Sequence, residues 1–227
     1  MLTIKDLTVS YGAAPVLKSL ELFLEEGRIH GLVGLNGSGK TTLFHTLYGL
    51  KKADTGKITR NGAPLSRKKT ALLETQNYFY AAITGREYLR LFRAPGRFDL
   101  ETWRELFRLP LDELIENYST GMKKKLAFTG MLKLDKEILL MDEPFNGVDL
   151  ETGRIIGMVL RRLREKGKTI LITSHVLETL TGLCDYIHFL DRGIVRKTYI
   201  PEEMPGLEKD LFSELEDKLR EQVDNAL

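Results

Sequence analysis

The sequence has little of what marks a secreted or membrane-embedded chain. Its 227 residues include one cysteine, Cys184, so no internal disulfide can form and a thiolate metal site lacks a second sulfur. No apolar run approaches the roughly 20 residues that a membrane-spanning helix needs. The aliphatic runs Ile138 to Met141 and Ile170 to Ile172 have the size of buried strands. The first residues, Met1-Leu2-Thr3-Ile4-Lys5-Asp6, show no basic stretch followed by an apolar one, so no secretory signal is expected. These absences point to a cytosolic type of protein, with any membrane role falling to a partner. An excess of either sign of charge is lacking too, the net being +2. Residues 201–227 carry nine acids against three bases, a net of −6 that leaves +8 on residues 1–200. That excess comes without a helix-turn-helix pattern or an aromatic-basic RNA signature, so no nucleic-acid partner is expected.

What is present is an ordinary globular mixture, 42% hydrophobic and 29% charged. Strand patterns are expected at Leu2–Val9, Arg28–Val33, Lys57–Arg60, Ala71–Glu74, Ile138–Asp142, Thr169–Thr173, Tyr186–Leu190 and Ile194–Tyr199. Helical patterns fall at Thr41–Tyr48, Glu87–Phe92, Leu100–Phe107, Lys123–Leu134, Thr152–Arg164 and Val176–Leu183. Strands alternating with helices in the second half predict a parallel sheet wrapped by helices. The N-terminal portion, rich in strand and turn signals, predicts an added antiparallel sheet. Between about Gln76 and Ile115 helix signals dominate, and the stretch reads as a helical subdomain, about residues 76–134, inserted into an α/β core. In the tail Leu207, Leu211, Leu215, Leu219 and Val223 recur every four residues among acids, which predicts an amphipathic helix packed on its own domain or on a partner.

Arg28–Val33 runs into Gly34-Leu35-Asn36-Gly37-Ser38-Gly39-Lys40-Thr41-Thr42 and then an apolar helical stretch. This fits G-x-x-x-x-G-K-[ST] in its strand–loop–helix setting. Glycines let backbone N–H groups turn inward around phosphate oxygens, and the helix N-terminus adds its positive end. Lys40 is then placed for the β- and γ-phosphates and the Thr41 hydroxyl for Mg²⁺. A second buried strand, Glu137-Ile138-Leu139-Leu140-Met141-Asp142, ends in an acid next to Glu143. Asp142 suits the Mg²⁺ shell through water, and Glu143 is a candidate base for the attacking water.

With these two motifs in order, residues 1–200 resemble the nucleotide-binding subunit of ATP-binding cassette (ABC) transporters, the bacterial export-type branch most of all. The resemblance implies a P-loop NTPase core with a mixed sheet, an N-terminal antiparallel β subdomain and the helical insert, followed by the acidic amphipathic C-terminal helix at 201–227. It also implies roles for further residues. Tyr11, in Val9-Ser10-Tyr11-Gly12, resembles the ring that stacks on adenine. Tyr118-Ser119-Thr120-Gly121-Met122 resembles the family signature, Leu-Ser-Gly-Gly-Gln in its commonest form, and implies that Ser119 and Gly121 bind the γ-phosphate held by an opposite protomer. Thr120 and Met122 depart from that form. Asp149, in Gly147-Val148-Asp149, resembles the residue that couples the two sites across the dimer. His175, after the strand Thr169–Thr173, resembles the switch histidine. In Leu73-Glu74-Thr75-Gln76 the metal- and water-facing side chain is Gln76 or, the segment being about one residue short, Glu74.

The implied function is ATP hydrolysis coupled to transport. Two subunits, identical or not, would close on two ATP with Mg²⁺ and drive a separate membrane permease, an exporter, from the inner face of the cell membrane. The other readings are a non-transport ABC ATPase, for example of the iron–sulfur assembly type, and an ATP-binding regulator. Tyr78-Phe79-Tyr80 is read either as local core or as a groove for a helix of the membrane subunit. Arg60 and Arg67-Lys68-Lys69 are read as a solvated loop or a lipid contact.

Overall fold

Two sheets share the chain, and hydrophobic periodicity explains how they meet. The computed structural model describes residues 1–212. The smaller, antiparallel sheet is built from β1 (Leu2–Tyr11), β2 (Ala14–Leu24), β4 (Thr55–Arg60) and β5 (Ala63–Pro64) in the order β2-β1-β4-β5. The larger sheet contains β3 (Ile29–Val33), β6 (Thr70–Leu73), β7 (Ile138–Met141), β8 (Thr169–Thr173), β9 (Tyr186–Asp191) and β10 (Ile194–Tyr199). Its order is β10-β9-β3-β8-β7-β6, every neighbour pair parallel except β9–β10. The helices are α1 (Lys40–Tyr48), α2 (Gly85–Arg90), α3 (Leu100–Phe107), α4 (Thr120–Lys133), α5 (Leu150–Glu165) and α6 (Leu177–Thr181).

The uninterrupted apolar runs of β7 and β8 follow from burial on both faces. On β7, Ile138 and Leu140 join one core with α1 and the antiparallel sheet, while Leu139 and Met141 join the other with α4 and α5. Leu171 and its neighbours Ile170 and Ile172 divide in the same way on β8. The strand β2 has no counterpart among the strands expected from sequence. Leu20, Leu22 and Leu24 alternate inward, but Ser19 lies at φ 46° and places Leu17 three positions from Leu20, so the period of two breaks at a bulge.

Between β6 and β7 the chain runs through α2, α3 and α4, with one isolated bridge, Thr84 to Leu114, among the described residues. Local chemistry sets these helix starts: Thr84 and Glu87 form a reciprocal capping box, Asp99 caps α3 and Ser119 caps α4. Arg60 is not a solvated cation. It is half-buried between Glu26, at 2.6 Å, and Glu137. Of the tail leucines, Leu207 and Leu211 are buried and Asp210 accepts from the Tyr199 hydroxyl at 2.6 Å. Leu215, Leu219 and Val223 lie outside the described residues.

Inside the larger sheet a polar chain crosses from β3 to β10. The Glu25 carbonyl can only accept, so His30 Nε2 donates to it at 3.0 Å and His30 Nδ1 accepts from His188 Nε2 at 3.1 Å. His188 Nδ1 then accepts from the Thr198 hydroxyl at 2.8 Å. Both rings are buried and neutral. Burial depresses both pKa values, that of His188 from 6.5 to about 3. A depressed histidine contributes stability that is complete above its unfolded pKa and lost as pH falls below it. We therefore expect stability to decline from pH 6.5 downward by about 1.4 kcal/mol per pH unit from His188 alone. Denaturant midpoints measured from pH 7 to 5 check this, a His188→Asn variant losing that part of the slope.

Candidate functional site

The loop after β3 is shaped by its glycines. A Cβ at Gly34 would lie 2.2 Å from Leu190 O and 2.6 Å from Ser38 Oγ. Gly37 and Gly39 have φ of 81° and 111°, in the left-handed region. Gly39 begins α1 without a side-chain cap, so the N–H groups of the first turn face the loop interior unpaired by side chains. Lys40 Nζ folds back onto Gly34 O at 2.7 Å and Leu35 O at 3.2 Å. The Ser38 hydroxyl is buried with no hydrogen-bond partner among the described residues. An orphaned donor, a lysine resting on loop carbonyls and an uncapped helix N-terminus together fit a phosphate group.

The acidic side comes from the ends of β7 and β8. Asp142 Oδ1 accepts from Thr173 Oγ1 at 2.7 Å, and Asp142 Oδ2 accepts from Thr41 Oγ1 at 3.3 Å. Glu143 N donates to the same Thr173 oxygen at 2.9 Å, with Glu143 itself at φ 54°. Glu143 Oε2 accepts from His175 N at 3.2 Å, and its buried Oε1 lies 3.4 Å from His175 Nε2 without a hydrogen bond. Burial pushes the Glu143 carboxyl above the ordinary range, and the adjacent His175 opposes that. Burial lowers the pKa of Lys40, while Glu143 and Asp142 raise it.

Ser38, Lys40, Thr41, Asp142, Glu143 and His175 line one cavity of about 380 Å³. Asn36, Gly37, Gly39 and Thr42 complete its wall, together with Val16, Thr75 and Asn146, which sequence reasoning did not single out. Thr173 was missed as well, because a threonine ending a strand looks like an ordinary β-former. The oxygen set of Thr41 and Asp142 suits a hard divalent cation.

The remaining expected residues sit apart from this cavity. Glu74 accepts from or pairs with His45 at 3.0 Å. Gln76 is exposed and borders a neighbouring cavity of about 370 Å³ that also touches Thr41 and Asp142. Tyr11 is exposed, with Lys51 Nζ 4.4 Å over its ring. Ser119 is exposed and caps α4 by accepting from Met122 N at 3.3 Å. A Cβ at Gly121 would come within 3.1 Å of Gly147 O, a tight contact. Met122 packs against the core beneath α4, which accounts for an apolar side chain at that position. Asp149 caps α5, accepting from Thr152 N at 2.8 Å, and lies 3.6 Å from Lys125 Nζ.

The ABC transporter family model matches residues 17–146, across the glycine loop and the Asp142–Glu143 pair. The chain belongs to that family. This cassette is 29% identical to a putative ABC transporter ATP-binding protein, AlbC, of Bacillus subtilis, over 93% of the chain and 97% of the relative. It is 31% identical to the Nod factor export ATP-binding protein I of Rhizobium meliloti, over 84% of the chain, and spans 61% of that protein. Among solved structures, an ATP-binding subunit of an ABC transporter superposes with a TM-score of 0.83 at 28% identity, covering 97% of this chain and 99% of that one. The cassette therefore binds and hydrolyses ATP as the nucleotide-binding unit of a transporter.

Because Lys40 Nζ hydrogen-bonds loop carbonyls that a phosphate would replace, Lys40→Ala should weaken ATP binding by about 10- to 100-fold. Calorimetric titration checks this, and the nucleotide-free melting temperature should stay within a few degrees of wild type.

Proposed function

We propose that two copies of this cassette, or this cassette and a related one, close on two ATP molecules and drive a separate membrane permease of the export type. The observation that carries the reading is the single cavity in which the glycine loop, Asp142, Glu143 and His175 meet. A second observation supports pairing. Ser119 is exposed and neither it nor Gly121 borders that cavity, so these two would face a phosphate only across a dimer. Glu143 would hold and orient the attacking water, burial making its carboxylate more basic than a solvated one. His175 steadies Glu143 through its backbone N–H and stands where charge develops on the transferred phosphoryl group. Lys40 holds the phosphate chain. Mg²⁺, for which Thr41, Asp142 and Gln76 are the side chains at hand, would neutralise charge on the β- and γ-phosphate oxygens. Tyr11 would stack on adenine, and Asp149, capping α5 beside Lys125, would relate the two sites.

No helix among the described residues is long and apolar enough to cross a membrane, which accords with a separate permease and a peripheral position on the inner face of the cell membrane. Export is supported by relatives named for Nod factor export. A groove for the permease is supported by Tyr78-Phe79-Tyr80, which is not uniformly core. Phe79 packs tilted against Tyr88 with ring centres 5.0 Å apart, while Tyr78 and Tyr80 stand 75% and 55% exposed, and Phe79 and Tyr80 line a cavity of about 520 Å³.

Glu143→Gln should retain ATP binding, lose about 100-fold or more in kcat and accumulate as an ATP-bound dimer on size exclusion. Wild-type turnover would remove Glu143 from the catalytic role. In mild detergent with ATP, the tagged variant should bring a multi-span membrane protein from native membranes in stoichiometric amount. Recovery only with soluble partners, or alone, would overturn the transporter reading.

A further inference from the structure

The basic run Lys123-Lys124-Lys125 near the start of α4 looks like a solvated face, yet Lys124 is 5% exposed. A buried ammonium persists only where other groups hold it. Lys124 Nζ donates to Thr75 O at 3.3 Å, reaching from the second turn of α4 to the loop that leaves β6. That loop is anchored at its other end to the acidic side of the nucleotide cavity. Asp142 N donates to Leu73 O at 2.8 Å, and the Thr75 hydroxyl stands 3.5 Å from Asp142 O. Burial pulls the Lys124 pKa down, and the carboxylates of Asp142 and Glu143 counter it. The adjacent Lys125 is committed elsewhere, to Asp149 at 3.6 Å and Phe107 O at 3.4 Å. Lys124 is thus the residue of this run that hydrogen-bonds the Thr75 carbonyl.

We propose that Lys124 is a positioning residue for hydrolysis, its ammonium tying the Thr75 carbonyl to α4 and so setting where Gln76 stands beside Thr41 and Asp142. The inference rests on the reading above in which Gln76 and Glu143 act on ATP. A residue serving stability alone would do as well as a hydrophobe here, because buried charges are commonly replaceable by apolar side chains of similar size. Lys124 is therefore placed where a charge is costly to the fold and useful to the site.

Two measurements on the full chain test this. Without nucleotide, chymotrypsin should cut after the exposed Tyr78 and Tyr80 several-fold faster in Lys124→Met than in wild type, as the untethered loop opens more often. The cleavage sites are identified by mass spectrometry. In turnover, Lys124→Met should keep ATP affinity within about twofold and lose about 10- to 100-fold in kcat, the cost of misplaced reacting groups. Lys124→Arg should recover most of the rate. Combined with Gln76→Ala, the loss should be no greater than the larger single loss, because both changes act on one element.

Unchanged cleavage, wild-type kcat, a matching loss of ATP affinity or additive losses would each overturn the proposal. Should Lys124→Met fail to fold, Lys124→Ala read by the same cleavage and kcat assays decides it by the same outcomes. The proteolysis arm needs no ATP. If Glu143→Gln turned over normally, the hydrolytic reading would fall while cleavage still decided whether Lys124 holds the loop.

Discussion

Three parallel strands lying side by side in register are the constraint on which the site depends. β8 lies between β3 and β7, with Leu32 opposite Thr173 and Met141 opposite Ile172. Parallel neighbours end at the same edge, so the loops that follow them start within hydrogen-bonding reach of one another. The glycine loop, the Asp142–Glu143 pair and Ser174-His175 are those three loops. Thr173 makes the arrangement specific, since its hydroxyl donates to Asp142 and accepts from the Glu143 backbone. One side chain at the end of the middle strand thus sets the spacing of both acids.

The edge of the sheet also concentrates what the fold would not otherwise favour. Glu143 is buried with a left-handed backbone and a carboxylate oxygen that has no hydrogen bond among the described residues. A non-glycine residue in that conformation costs about 1–2 kcal/mol. Lys40 is pulled from solvent, and Ser38 has no partner among the described residues. These groups are held by cores on both faces of the sheet, where Leu139, Leu140, Ile170 and Leu171 are fully or nearly fully buried. A rigid apolar platform keeps polar groups in poses that they would leave in water, and such preorganisation stabilises charge as it develops in a reaction.

α4 relates this edge to the helices inserted between β6 and β7. Its N-terminus presents exposed Ser119, and its second turn holds Lys124 and Lys125 against two different loops. Farther along, Lys133 donates to Leu89 O at 2.8 Å at the end of α2. Polar contacts therefore join α4 to the nucleotide side of the molecule at one end and to its fellow helices at the other.

Much of this was legible in the residues because the signals were local. A glycine-rich loop between an apolar strand and a helix specifies its own backbone. The parallel core strands were legible from their unbroken apolar runs. The strand β2 was not, since the bulge at Ser19 disrupts its alternation and only pairing with β1 stabilises it. Nor did sequence distinguish Glu74 from Gln76; the structure engages Glu74 with His45, a residue of α1 distant in the chain. The chemistry of the phosphate loop was determined by the sequence itself, because short-range sterics and backbone conformation are properties of neighbouring residues. The burial of Lys124, the neutral His30–His188 pair and the role of Thr173 were decided by the tertiary structure alone, because desolvation and hydrogen bonding between distant segments exist only once the strands have been brought together.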